Sequence, residues 1–334
     1  MKKIGFLTFG HYRDVPGSLV RTARETLHNT VDLAVAAEEI GFDGAWLRVH
    51  HFGTSLATPM PTLATIGAKT TTIELGTGVI DMRYENPAHL AEEAGIADLF
   101  SGGRLQLGIG RGTPPAAVDA LALFGSDLGP KEDSTTEARE RTDLFRRAIG
   151  GEPIAHSRSL TAPADVRIEP RSPGLPDRIW WGSASPSSSQ WAGEQGMNIL
   201  SSSIMLADDG RPFHVQQAGQ FRTYRDAYAA SGLATGGNVA VLRSVFPITT
   251  ADDQRFFGDR GDGRDGVGVM QGKAARTGPD YIGAPGELVD QLSRDEALAE
   301  ADYVLFALPN QLGLDYNTHL MSNLYAVAKS SGWK

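Results

Sequence analysis

Short apolar runs alternate with amphipathic segments along most of the chain, which is the pattern of repeated β/α units. Eight runs are short and apolar enough to be strands buried on both faces, at residues 4–9, 44–48, 73–80, 105–109, 178–182, 197–201, 239–245 and 303–307. Helical patterns lie between and after them, at residues 27–40, 61–70, 87–100, 136–149, 187–195, 215–230, 286–292 and 318–330. Eight such pairs predict an α/β fold, a closed (β/α)8 TIM barrel, formed by residues 1–334 as a single domain.

A doubly wound open sheet shows the same alternation and is the main structural alternative. A dinucleotide-binding sheet of that kind would carry G-x-G-x-x-G directly after its first strand. The first turn instead reads FGHYR at residues 9–13, and the later run GIGRG at 108–112 has the wrong spacing. The barrel is therefore the preferred prediction.

Three segments are predicted to be insertions, of which the shortest is a polar connector at residues 207–213, after the sixth strand. Residues 160–176 are rich in proline and contain a short strand signal at 166–168, which predicts an extra ribbon outside the barrel. Residues 251–279 follow the seventh strand and are rich in glycine and aspartate. The segment at 251–279 is interpreted as an active-site lid or a disordered loop, and both descriptions hold if it orders on ligand binding.

Composition narrows the class of protein. A content of 41% hydrophobic and 21% charged residues is ordinary for a soluble globular chain. The net charge of −9 argues against nucleic acid or an anionic membrane as the main partner. Since there is no cysteine, disulfides and thiolate metal sites are excluded. No run approaches membrane-spanning length and no cleavage site follows the N-terminal MKKIGFLTFGHY, so a cytoplasmic enzyme is expected.

His50 and His51 close the second predicted strand. Adjacent residues of an extended strand point to opposite sides, whereas two metal ligands from one strand would read His-x-His, so no metal site is predicted. One histidine is expected to face the barrel mouth, for acid/base chemistry, while the other packs behind it. Two structural histidines are the alternative, and the position at the top edge of a barrel favours function.

Two anion-binding signals follow neighbouring strands. Arg111 lies between two glycines after the fourth strand, and SASPSSSQW at 183–191 follows the fifth. Ser185 and Pro186 are typical of an N-cap and a first helical residue, so N–H groups and hydroxyls at the helix start would favour a phosphate. A well-capped helix and a solvated arginine are the alternative. Because both features share one sheet edge, the phosphate site is preferred.

Other polar and aromatic residues carry weaker signals. Read on its own, Arg139 belongs to a solvated charged helix face, and the Trp180-Trp181 pair indicates packing. Asp81 and Arg83 end the third strand, where they either contact a ligand or pair with each other.

A resemblance to a known family covers nearly the whole chain. Its motifs are GFDGAWLRVHHFG at 41–53, the run at 73–112 with its ending GGRLQLGIGRG, IWWGSASPSSSQWAGEQG at 179–196, GAPGELVDQL at 283–292 and ADYVLFALP at 301–309. These resemble the bacterial luciferase-like flavin-dependent monooxygenases, strongest over 1–112 and weakest over 204–283. The resemblance implies a (β/α)8 barrel, usually a homodimer, that uses reduced FMN, or in some branches a deazaflavin coenzyme. Oxygen and a small organic substrate would be its co-reactants, and a separate flavin reductase would supply the reduced flavin.

The resemblance also implies site residues by position. His50 matches an acid/base histidine near the reactive flavin edge, and Gly78-Val79 matches a non-proline cis peptide beside the flavin ring. Arg111, Arg139, Ser185 and Ser188 match positions that hold the flavin phosphate. The predicted cofactor-binding residues, including the phosphate-loop position Ala184, are Gly78, Val79, Arg111, Arg139, Ala184, Ser185 and Ser188.

Three departures from the family pattern limit what is carried over. Val49 stands where the family usually has a glutamate, Gly110 where luciferase has a cysteine, and Ala184 where the luciferase phosphate loop has an acidic residue. Together they argue against light emission from a long-chain aldehyde. The alternatives left open are a deazaflavin-dependent oxidoreductase on the same fold, a non-catalytic flavin-binding protein and, disfavoured by the histidine spacing, a metal-dependent barrel hydrolase.

Overall fold

The structure is a computed structural model that describes residues 1–112, 119–125, 134–158, 161, 165–233, 237–259, 263–270 and 272–334. Its strands are β1 (Lys3–Thr8), β2 (Gly44–Leu47), β3 (Glu74–Thr77), β4 (Ile80–Asp81), β5 (Leu105–Gly110), β6 (Ala155–His156), β7 (Asp165–Val166), β8 (Ile179–Ser183), β9 (Asn198–Ser201), β10 (Ile204–Met205), β11 (Val239–Arg243), β12 (Val245–Pro247), β13 (Gly266–Met270), β14 (Lys273–Thr277), β15 (Tyr281–Gly283) and β16 (Tyr303–Leu308).

Helices lie between most of these strands. They are α1 (Ala23–Ile40), α2 (Met60–Lys69), α3 (Pro87–Phe100), α4 (Ala120–Leu123), α5 (Ser134–Ile149), α6 (Pro186–Glu194), α7 (Phe213–Ala230), α8 (Ala251–Phe257), α9 (Pro285–Ser293), α10 (Glu296–Glu300) and α11 (Gly313–Ser330). Within the described ranges, none of them has both the length and the apolarity needed to cross a membrane.

One parallel sheet closes on itself, in the order β3-β2-β1-β16-β11-β9-β8-β5-β4, with β3 also pairing with β5. The pairs Leu75 with Leu105 and Ile80 with Ile109 show that β3 and β4 are two halves of one barrel strand. The prediction of one continuous strand at 73–80 is therefore wrong. The observed strand is interrupted at the cis peptide bond Gly78-Val79. With these halves counted together, eight strands form the barrel, and the predicted (β/α)8 fold is confirmed.

Aromatic side chains fill the lower part of the barrel. Trp46, Trp180 and Tyr303 contact one another edge to face, with ring centroids 5.5–6.3 Å apart. Glycine is required on the neighbouring strands, because a Cβ at Gly44 would collide with the Tyr303 hydroxyl and one at Gly76 with the Trp46 ring. The barrel is thus a packed core rather than a pore, and ligands are confined to its ends.

The predicted insertion at 160–176 differs in position from the structure. An antiparallel ribbon pairs β6 with β7, so it begins before residue 160, and its second strand lies at 165–166 rather than 166–168. Residues 159–160 and 162–164 lie outside the described residues.

The predicted insertion at 251–279 has regular structure in its described part. Helix α8 opens it, capped by Thr250 and Asp253, and β13 and β14 then form an antiparallel hairpin whose second strand also pairs with β10. Valines at every second position, Val267 and Val269, carry the strand pattern that the glycine and aspartate content obscures. Residues 260–262 and 271 of this segment are not among those described.

Candidate active site

A cleft of about 290 Å³ lies at the carboxyl ends of the barrel strands. Its described lining comes from β1, β10 and α5, from the ends of β2, β5, β8, β9 and β11 and the loops that follow them, from the break in the third barrel strand and from the β13–β14 hairpin. All the predicted cofactor-binding residues line it, namely Gly78, Val79, Arg111, Arg139, Ala184, Ser185 and Ser188. The structure therefore brings together residues that are more than 100 positions apart in the sequence.

Val79 forms one wall of the cleft, directly after the cis peptide bond. A Cβ added to Gly108, Gly110 or Gly182 would lie 3.0–3.2 Å from the Val79 methyl groups. Glycines on β5 and β8 therefore leave the space that this valine occupies. A side chain at Gly110, where luciferase has a cysteine, would therefore press against Val79.

The serine loop between β8 and α6 has the predicted N-cap. Ser185 is extended (φ −150°), its Oγ accepts a hydrogen bond from the Ser188 N–H (3.4 Å), and Pro186 is the first helical residue. The Ser188 hydroxyl in turn accepts a hydrogen bond from Trp181 Nε1 at 2.9 Å. The indole ring of Trp181 also packs against Trp191, as predicted for the tryptophan pair.

Buried polar contacts hold this loop from behind. The Ser183 and Ser189 hydroxyls lie 2.8 Å apart, and Gln220 Nε2 donates to both, at 3.1 and 2.7 Å. The carbonyl of Ala184 accepts a hydrogen bond from the Leu206 N–H at 2.7 Å. Because its support is internal, the loop can present its outer polar groups to a ligand without rearranging.

Arg139 lies in the cleft rather than on a solvated helix face. Its guanidinium stacks on the Trp191 ring, with Cζ 4.5 Å from the centroid. The Nε atom is buried and has no hydrogen-bond acceptor among the described residues. A buried donor without an acceptor is costly, so the position fits a ligand that brings an anionic oxygen.

The charged residues that line the cleft also favour an anionic ligand. Its described lining contains Arg48, Arg111 and Arg139 but no aspartate or glutamate. This concentration of positive charge stands out in a chain with a net charge of −9. The cleft is therefore suited to an anionic ligand.

His50 lies beside the cleft and reaches it through Arg48, a residue that the sequence analysis did not identify. Arg48 donates from Nε to His50 Nε2 (3.2 Å) and from Nη1 to the Gly78 carbonyl (2.9 Å). Burial, and then the charge of Arg48, lowers the pKa of His50 to about 4. His50 is thus neutral near pH 7, with Nε2 accepting and the proton on Nδ1. Residues two positions apart in an extended strand point to the same side. The spacing of Arg48 and His50 is therefore the sequence signal that could have predicted their contact.

His51 packs away from this pair. Its ring contacts Tyr84 and Phe124, with centroids 4.6 and 4.8 Å away, and burial lowers its pKa. Asp81 and Arg83 form a buried ion pair, with Oδ2 and Nη2 2.6 Å apart. No group of three histidine, aspartate or glutamate side chains suited to a metal occurs in the part of the chain that the structure describes.

The lowered pKa of His50 predicts how stability depends on pH. Because the unfolded state takes up a proton near pH 6.5 and the folded state only near pH 4, stability should fall as the pH falls between these values. The ring is half-buried, so water screens the effect, and we expect about 1 kcal/mol. Chemical denaturation of the wild type and His50→Gln from pH 7 to 4 measures it. Parallel curves for the two proteins would contradict the prediction.

The fold and the cleft together define the class of protein: a closed (β/α)8 barrel whose strand ends carry arginines and a serine-rich helix start. Residues 3–258 match the sequence model of the family described as luciferase-like monooxygenase. The chain therefore belongs to that family, as the resemblance indicated.

Relatives of the chain are named for different activities. Limonene 1,2-monooxygenase of Rhodococcus erythropolis is 24% identical over 266 residues, covering 79% of this chain and 65% of the relative. An F420-dependent glucose-6-phosphate dehydrogenase of Kribbella flavida is 26% identical over 179 residues, covering 52% of each chain. The chain thus spans less than two-thirds of either curated relative.

A solved structure has the same fold over nearly its full length. It is the oxygenating constituent of 3,6-diketocamphane monooxygenase from Pseudomonas putida in complex with FMN, with a TM-score of 0.70 and 16% identity, covering 97% of both chains. At this identity the likeness establishes the fold alone.

Proposed function

We propose that the protein is a flavin-dependent monooxygenase that uses reduced FMN and O2 to oxidise a small organic substrate. The observation that carries the proposal is the buried Arg139 Nε, which has no acceptor within the described part of the chain, on a residue that lines the same cleft as Arg111 and the serine loop. Bound reduced flavin would supply two electrons, so that one oxygen atom of O2 enters the substrate and the other leaves as water.

The proposed phosphate cradle consists of Arg111, Arg139, Ser185, Ser188 and the first N–H groups of α6. Arginine offers fixed donors, the serines offer hydroxyls, and a helix N-terminus favours negative charge, so this set fits a phosphate monoester. The backbone at Gly78-Val79 would lie against the flat flavin ring. The cleft can accommodate both parts of the flavin, because Gly78, Val79 and the cradle residues all line it.

Other residues would keep water from the reaction. Leu7, Leu200 and Leu242 give the cleft an apolar floor, and Met270 borders it from the β13–β14 hairpin. We propose that this hairpin acts as the lid, because water exclusion needs a cover over the cleft. His50, neutral near pH 7 with Nε2 occupied by Arg48, would donate a hydrogen bond from Nδ1–H. A separate flavin reductase would supply reduced FMN, and a homodimer is the proposed assembly.

A cofactor titration tests the proposal. We expect FMN to bind, followed by flavin fluorescence, and reduced FMN to bind under anaerobic conditions, with weaker or no binding of the deazaflavin F420. The loaded enzyme, supplied with a flavin reductase, should then consume O2 in a substrate-dependent way. Binding of F420 but not FMN would favour the deazaflavin alternative. Tight FMN binding without substrate-dependent O2 uptake across a broad substrate panel would identify a non-catalytic flavin-binding protein.

A further inference from the structure

We propose that Arg48 is a second anion-binding position in the cleft, separate from the phosphate cradle, and that it binds a carboxylate or comparably acidic oxygen of the substrate. The substrate class is then an organic anion. This inference rests on the proposed function and extends it.

The Arg48 guanidinium has no counterion among the residues that the structure describes. Two of its nitrogens donate to His50 and to the Gly78 carbonyl, and Nη2 has no acceptor among the described residues. No carboxylate of the described residues lies within ion-pair distance of Arg48. Burial lowers the pKa of the Arg48 side chain, and no acidic neighbour opposes this shift. The Arg48 side chain is partly buried. A cation removed in part from water is costly unless an anion accompanies it, so a ligand anion at this point would relieve that cost.

The surroundings of Arg48 strengthen its attraction for an anion. Its Cζ lies 5.8 Å from the centre of the Phe9 ring. The buried cluster of Leu7, Leu200 and Leu242 packs with Phe9 and Val79 at the same end of the barrel. Charges attract more strongly in such apolar surroundings than in water. An uncharged substrate would bring nothing to offset the charge of the partly buried guanidinium.

Strand order separates Arg48 from the phosphate cradle. Arg48 follows β2, whereas the cradle residues follow β5 and β8, with the third barrel strand between them. At the break in that strand, the Gly78 carbonyl accepts from Arg48 while the Val79 methyls lie over glycines of β5 and β8. A flat ligand across this break would have its phosphate on one side and Arg48 on the other.

The charges of the lining support two separate anions. A phosphate monoester carries close to two negative charges at pH 7 and would bind at the cradle, on the Arg111 and Arg139 side of the strand break. Arg48 is the remaining positive charge among the described lining residues, so it calls for one further negative charge. That charge has two possible sources, the substrate or a deprotonated reduced flavin ring, and the test separates them.

Benzoate and its neutral isostere benzamide serve as probes. In the FMN-loaded wild type, benzoate should perturb the flavin absorption spectrum saturably, and benzamide should not. We expect Arg48→Met to weaken benzoate binding about tenfold or more while FMN affinity changes less than about twofold. Arg48→Gln, which keeps donors for the Gly78 carbonyl but loses the charge, should behave like Arg48→Met. It also provides the test if the methionine variant does not fold.

Three outcomes would overturn the assignment. They are no benzoate binding by the wild type, equal benzoate binding by wild type and variants, and a loss of FMN affinity with benzoate affinity unchanged, which would assign Arg48 to the flavin. The shift in melting temperature that benzoate causes in the absence of flavin tests the Arg48 proposal separately from the proposed function. A wild type that fails to bind FMN contradicts the proposed function, whereas Arg48-dependent stabilisation by benzoate would still support this anion position.

Discussion

Replacing Arg139 with methionine is expected to weaken FMN binding roughly 10- to 100-fold while leaving riboflavin binding nearly unchanged. A hydrogen bond to a charged group contributes about 1.5–3 kcal/mol, which corresponds to that range in affinity. Riboflavin lacks the phosphate that the cradle is proposed to bind, so its affinity should be nearly the same for the variant and the wild type. Methionine keeps contact with the Trp191 ring on which Arg139 stacks, which limits other damage. Fluorescence titration of both flavins measures the difference.

Arg255 offers a matched control for this substitution. It also stacks on an aromatic ring, with Cζ 4.6 Å from the centre of Phe256, but it lies on α8 and is not among the residues that line the cleft. Arg255→Met should leave both affinities unchanged. If Arg139→Met weakened FMN and riboflavin equally, the residue would contact the ring or support the fold, and its assignment to the phosphate would be wrong.

The barrel could be predicted because each of its strands is a short apolar run bounded by polar residues or glycine. The break at Gly78-Val79 could not be read from that pattern, since hydrophobic residues continue across it. It was expected only because the motif resembles the family. The hairpin at 266–277 was hidden for a different reason: the stretch directly before it, at 258–265, consists mainly of glycine and aspartate, and within the hairpin only Val267 and Val269 carry the strand periodicity.

The site could be predicted in part. The serine loop and Arg111 were accessible because capping residues and glycines have local signatures in a sequence. Arg139 has no such signature, since its position depends on how α5 packs beside Trp191. The sequence did not indicate a role for Arg48, because an arginine at the end of a strand is usually a solvated surface charge. Its importance comes from burial and from the absence of a nearby described carboxylate, and both are properties of the fold.

A buried network behind the cleft gives the largest expected effect on stability. Arg243 donates to Asp295 from Nε (2.8 Å) and to Gln217 from Nη2 (2.7 Å), and the Tyr281 hydroxyl also donates to Asp295. Gln217 continues the network to the Ser202 carbonyl, and Ser202 lines the cleft. The network thus joins the end of β9 to the segment that follows the β13–β14 hairpin, and it fixes both beside the ligand.

Arg243→Met is therefore expected to lower the free energy of unfolding by about 3–5 kcal/mol, because it leaves Asp295 buried without its counterion. Burial alone would raise the pKa of Asp295, but the charge and hydrogen bonds of Arg243 hold it below its usual value. In the variant that pKa should rise, so the deficit should be largest near pH 7 and shrink towards pH 4 as the carboxylate is protonated. Urea denaturation at both pH values measures this.

The exposed pair of Arg211 and Asp209 supplies the comparison, since their side chains are 54% and 47% exposed. Arg211→Met should leave the free energy of unfolding nearly unchanged, because water already solvates both charges. A second variant that replaces both Arg243 and Asp295 with apolar residues should recover part of the loss, since no buried charge would then remain unpaired. A deficit for Arg243→Met no larger than that of Arg211→Met, or one independent of pH, would mean that Asp295 finds another counterion and that the network does not hold the cleft in place.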